Sequence, residues 1–122
     1  MTANPPDPEG APVPDRPYIA DWHDAVTYSS PGPTPHLLVD EPELRVLVGG
    51  LEPGGRIPPH AERRAVYTSL EGEGFFFLDG VALSFHGGAI VVAPAGSTRG
   101  IEAVTRLAFT AVRIGPEPTA AE

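Results

Sequence analysis

Pro53-Gly54-Gly55-Arg56-Ile57-Pro58-Pro59-His60 opens a framework that continues through Leu70-Glu71-Gly72-Glu73-Gly74, Asp79-Gly80 and Gly88 to Pro94-Ala95-Gly96. Turn-forming glycines and prolines alternate here with short runs of β-branched and aromatic residues, the pattern of a sandwich or barrel. Residues 44–48, 66–70, 75–78 and 81–85 are such runs. Asp79-Gly80 tolerates positive φ and predicts a two-residue hairpin between the last two. Residues 89–93 read as a strand buried on both faces. Residues 106–114 read as the closing strand, which Phe109, Thr110, Val112 and Ile114 favour over a helix. No helix and no internal repeat stands out.

The spacing of these glycines resembles that of the cupin superfamily. In that family a glycine is followed after five residues by His-x-His, a glutamate and a second glycine. A later motif runs glycine, five residues, Pro-x-Gly, two residues and histidine. From Gly54 to Gly96 the framework falls in register. The resemblance implies an all-β double-stranded β-helix, or jelly roll, and a divalent metal held by three histidines and the glutamate. Laid on this chain, those ligand positions carry His60, Glu62, Ala65 or its neighbour Val66, and Arg99. A guanidinium stays protonated and repels a metal ion. The metal site implied by the resemblance is therefore degenerate, and no cofactor is expected.

Composition sets the outer limits. A chain of 122 residues suits one domain, and 14 glycines with 16 prolines suit an all-β fold rich in turns. With no cysteine and no lysine, disulfides, thiolate chemistry, Schiff bases and a P-loop are excluded. The net charge of −8, with arginines scattered apart from Arg63-Arg64, disfavours a phosphate backbone as partner. No apolar run reaches the roughly 18 residues of a membrane span. The N-terminus lacks the basic start and apolar stretch of a secretory signal. A cytoplasmic protein without nucleic-acid or membrane partners is expected.

Residues 1–17, rich in proline and acidic side chains, predict a flexible tail; a proline-rich docking segment is the functional alternative. The folded body is expected over residues 18–114, with 115–122 as a C-terminal tail. Alternation sends Phe76 to the face opposite Phe75 and Phe77, and this aromatic run is where a homodimer interface is expected.

Side chains alternate across a strand, so His60 and Glu62 are expected to share a direction, with Ala65, Tyr67 and Ser69 lining the same interior. Arg99 joins them from the opposite sheet if the register of the resemblance holds. One reading is a metal-free pocket for a small acidic or oxygen-rich metabolite, with Glu62, Tyr67 and Arg99 binding it and Arg99 gripping an oxyanion. His60 is then the catalytic acid or base of a lyase, isomerase or cyclase. Its structural counterpart is an Arg99–Glu62 ion pair that plugs the pocket. Another reading keeps a divalent metal on His60, Glu62 and either His36 or His86, as in a dioxygenase or isomerase. A third is a ligand sensor or accessory protein without turnover. The sequence leaves open whether the chain is an enzyme.

Overall fold

Asp79 and Gly80 adopt φ of +49° and +83° and join two strands that pair from Phe75 with Ser84 to Leu78 with Val81. The hairpin expected from Asp-Gly is thus present in a computed structural model that describes residues 17–116. The N-terminal tail, apart from Pro17, and residues 117–122 lie outside the described residues.

The described residues form ten strands: β1 (Tyr28–Ser29), β2 (His36–Glu41), β3 (Leu44–Leu51), β4 (Arg56–Ala61), β5 (Arg64–Glu71), β6 (Gly74–Leu78), β7 (Val81–Ser84), β8 (Ile90–Ala93), β9 (Thr98–Ala103) and β10 (Leu107–Ile114). One sheet runs β1-β3-β10-β5-β8, with β2 also paired to β3, and the other runs β4-β9-β6-β7. Neighbours in each sheet are mostly distant in sequence, so the chain passes repeatedly from one sheet to the other, as a jelly roll requires. A single 3₁₀ turn, Trp22–Asp24, is capped by the Asp21 carboxylate, which accepts from the His23 amide. No helix among the described residues is long and apolar enough to cross a membrane.

Alternation on β5 turns Ala65, Tyr67 and Ser69 inward and buries all three, as expected. They meet Phe76 and Phe85 beside the other sheet and Leu51, Leu107 and Phe109 from their own. The Tyr67 and Phe76 rings contact edge-on, 4.8 Å between centroids, and tie the two sheets together. Each buried Leu or Phe among them contributes about 1.5–3 kcal/mol.

Three departures from the sequence reading have physical causes. The strand β4 carries Pro58-Pro59, which cannot donate to a ladder; it is tolerated because β4 is an edge strand and the register shifts between Ile57 and His60. Strand β8 is not buried on both faces: Val91 and Ala93 point into the core, whereas Ile90 is 66% and Val92 57% exposed. The body also extends past residue 114, since the Gly115 amide donates to Glu43 O at 3.0 Å and Gly115 O accepts from Arg63 Nη1 at 3.0 Å. The Phe run alternates as read, with Phe76 fully buried and Phe75 on the opposite, exposed face.

Candidate functional site

The turn Pro94-Ala95-Gly96 places Arg99. Gly96 takes φ +82°, its amide donates to Glu62 O at 2.9 Å, and Ser97 Oγ donates to Pro94 O at 2.6 Å. Two residues on, Arg99 lies on β9 directly across the ladder from His60 on β4.

The Arg99 side chain is only 1% exposed and is held almost entirely by backbone oxygens. Its Nε donates to Ser97 O (3.2 Å) and Nη1 to Arg63 O (2.7 Å). Its Nη2 donates to Pro94 O (2.8 Å), Ser97 Oγ (2.9 Å) and Glu62 O (3.1 Å). A guanidinium has five N–H donors, so this cradle leaves one, on Nη1, for anything else. The guanidinium pins the 62–63 turn to the 94–97 turn and commits four of its five donors to the fold.

Glu62 stands just beyond the end of β4, where strand alternation no longer applies. Its carboxylate accepts from the Arg63 amide at 2.9 Å and lies 3.6 Å from Arg113 Nη1. The expected convergence of Glu62 with His60 on one interior face is therefore corrected. The Arg99–Glu62 ion pair is also corrected, because Arg99 takes the backbone oxygen of Glu62 and not its carboxylate.

His60 is half-buried, with Nδ1 3.2 Å from Pro58 O. A carbonyl only accepts, so Nδ1 carries the proton and Nε2 is left as an acceptor. A void of about 20 Å³ adjoins it, lined by His60, Tyr67, Arg99 and Arg113 among apolar walls that include Leu47 and Phe109. That volume accommodates about one water molecule. Three of the four expected site residues thus meet at one void, and Glu62 does not.

Arg113 was missed. The alternation of β10 points Phe109, Ala111 and Arg113 to one face, and that parity was the available signal. Arg113 pairs across the ladder with Arg45, and the Nε atoms of both are buried without a hydrogen-bond partner among the described residues. Their counter-charges are loose: Glu62 at 3.6 Å from Arg113 Nη1, and Asp40 at 3.9 Å from Arg45 Nε.

The other histidines do not join His60. His36 pairs with Val48 at the start of β2, and exposed His86 lines a separate shallow cleft of about 300 Å³ with Glu73, Phe75 and Ser84. Among the described residues no group of three His, Asp or Glu side chains is placed to hold a metal ion. Together with a buried guanidinium at the last ligand position, this donor set does not fit the metal that the resemblance implies. His23, on the surface, contacts Asp21 at 2.6 Å, and this hydrogen bond raises its pKa above the ordinary value.

Two sheets closed over one interior by alternating crossovers define a double-stranded β-helix. The sequence matches no family model and no curated protein. Solved structures do match. A protein with a double-stranded β-helix domain from Klebsiella pneumoniae aligns with TM-score 0.72 and 20% identity, over 80% of this chain and 90% of that one. An RmlC-like cupin protein from Desulfovibrio desulfuricans aligns with TM-score 0.70 and 24% identity, over 80% and 95%. A predicted oxalate decarboxylase from Thermotoga maritima aligns with TM-score 0.56 and 28% identity, over 58% and 65%. The chain has the cupin fold.

Proposed function

We propose that this chain is a metal-free cupin-fold protein that binds a small acid at the mouth of its barrel. The observation that carries the reading is Arg113, whose buried Nε has no hydrogen-bond partner among the described residues and which lines the same void as His60 and Tyr67. The void takes one group the size of a water molecule, which suits a single carboxylate or oxyanion oxygen, while the rest of the ligand stays at the mouth. Arg113 and the remaining Nη1 hydrogen of Arg99 receive that oxygen as charge-assisted donors. Tyr67 offers a hydroxyl, and His60 presents an imidazole beside the void. Glu62 acts from behind, by holding Arg113. One structural neighbour is named for oxalate, itself a small acid, and this accords with the reading. Binding without turnover, as in a sensor or accessory protein, needs nothing beyond these groups.

Calorimetric titration with small mono- and dicarboxylates, in the presence of a chelator, tests this. The expected result is saturable binding that Arg113→Gln weakens at least about tenfold, the scale of one charge-assisted hydrogen bond. His60→Gln, at a half-exposed position, serves as a second variant that folds. Binding that appears only when a divalent metal is added, or that neither variant alters, would overturn the reading.

A further inference from the structure

The face of the larger sheet that points away from the core has an unusual sequence. The ladder registers place Val92, Val66, Val112 and Val46 in one row across β8, β5, β10 and β3. The next row is Ile90, Thr68, Thr110 and Val48. None of the eight is charged, in a chain of net charge −8.

This face is unevenly covered. On the β3 side the chain covers itself: Ile19 and Trp22 lie over Leu38, Val46 and Val48, leaving a groove of about 360 Å³, and Val48 is 3% exposed. On the β8 side nothing described covers the sheet, and Ile90 and Val92 stand 66% and 57% exposed. One end of the rows carries a pair of apolar knobs, and the other end is a mainly apolar groove that Asp21 also lines.

We infer that this face is the contact between two copies of the chain, with Ile90 and Val92 of each copy seated in the Ile19–Trp22 groove of the other. The two rows read almost the same from either end, with Val66 beside Val112 and Thr68 beside Thr110 at their centres. A two-fold axis along the strands, between β5 and β10, therefore sets Val66 against Val112 of the second copy and Thr68 against Thr110. The same operation carries the knobs of one copy onto the groove of the other, and such self-complementarity is what an isologous interface requires.

Charge points to the same occupant. Two chains this acidic repel at most surfaces, and two rows that carry no carboxylate, with Asp21 the one acid lining the adjoining groove, are where they can meet. The rows also give nothing to a basic partner, which would be drawn elsewhere. Three strands of eight residues and the four-residue β8, about 4.8 Å apart, present roughly 440 Å² in projection. Side-chain relief raises that toward the roughly 800 Å² per partner of a standard interface. Residues 1–16 are a poorer cover, since Val13 and Met1 are their only large apolar side chains besides proline.

The test is the mass of the full chain in solution by light scattering at about 10 µM, where any complex with micromolar affinity is populated. A dimer is expected that Ile90→Glu with Val92→Glu converts to monomer, whereas Phe75→Glu, on the other sheet, leaves it intact. Trp22 is the chain's single tryptophan and sits in the groove, so its emission should shift to the red when the wild-type dimer is diluted. A wild-type monomer, a dimer that survives the double variant, or Trp22 emission that ignores dilution of the dimer would overturn the inference. So would dimerisation that begins only after residues 1–16 are deleted, since the tail would then be the natural cover.

Discussion

Arg99 Nη2 donates to the backbone oxygen of Glu62 at 3.1 Å, while the Glu62 carboxylate turns away to lie 3.6 Å from Arg113 Nη1. Glu62 thus meets Arg99 and Arg113 by different atoms, and these two arginines have different tasks. Arg99 is enclosed by oxygens that cannot leave, because they belong to turns. Arg113 has a loose partner and an unfilled donor, and it is the arginine with capacity for a ligand.

Arg99→Met is expected to destabilise the fold by about 3–5 kcal/mol, the usual cost of breaking a buried ionic network. Arg106→Met is the comparison. Arg106 is exposed and holds Glu52 at 3.1 Å, and its loss should cost far less, since a solvent-screened surface pair adds little. Urea denaturation of both variants measures the difference. Equal losses would mean that the carbonyl cradle contributes nothing beyond a surface pair.

Gly72 and Gly88 have nearly the same φ, +99° and +97°, yet only Gly72 is crowded. A Cβ there would run into the Arg106 carbonyl, whereas at Gly88 it meets nothing. Gly88→Ala should therefore cost about 1–2 kcal/mol, the penalty of a left-handed residue. Gly72→Ala should cost more than about 4 kcal/mol, in the range of severe core defects, or abolish soluble expression. Thermal melts of the two proteins decide it.

Ser69 is 1% exposed and its Oγ has no hydrogen-bond partner among the described residues. Removing an unsatisfied buried hydroxyl relieves a desolvation cost, so Ser69→Ala should raise stability by up to about 1 kcal/mol. A loss of stability in chemical denaturation would show that the hydroxyl has a partner, such as an ordered water.

The Asp21 side-chain hydrogen bond raises the pKa of His23, with smaller help from Glu71 and Asp24, and the same bond lowers that of Asp21. The signs differ. The His23 contribution is fully present below its ordinary pKa and is lost as pH rises through the raised value. The Asp21 contribution is present above its ordinary pKa and is lost as pH falls through the lowered one. Between roughly pH 4 and 6.5 both are in force. An NMR titration should place the His23 pKa above about 6.5, and Asp21→Asn should bring it back down. A His23 that titrates at its ordinary value would show that the surface pair does not form in solution.

The barrel was legible because its turns are chemical: Asp79-Gly80 and Gly96 sit where only positive φ serves. Parity worked on β5, which runs unbroken through Ala65, Tyr67 and Ser69. It failed on β4 and just past it, where a proline pair shifts the register and Glu62 has already left the strand. The exposure of β8 was hidden too, since an unbroken apolar run looks the same whether its outer face meets a helix, another molecule or water. Backbone carbonyls carry no residue identity, so nothing in the sequence announced the cradle around Arg99. Arg113 was readable by the same parity that placed Tyr67.

The cation held between the 62–63 and 94–97 turns is synthesised with the chain. It is present once per molecule from the moment of folding, no chelator removes it, no change of redox state alters it, and no ordinary pH discharges it. The joint between these two turns therefore asks for no metal ion at the Arg99 position.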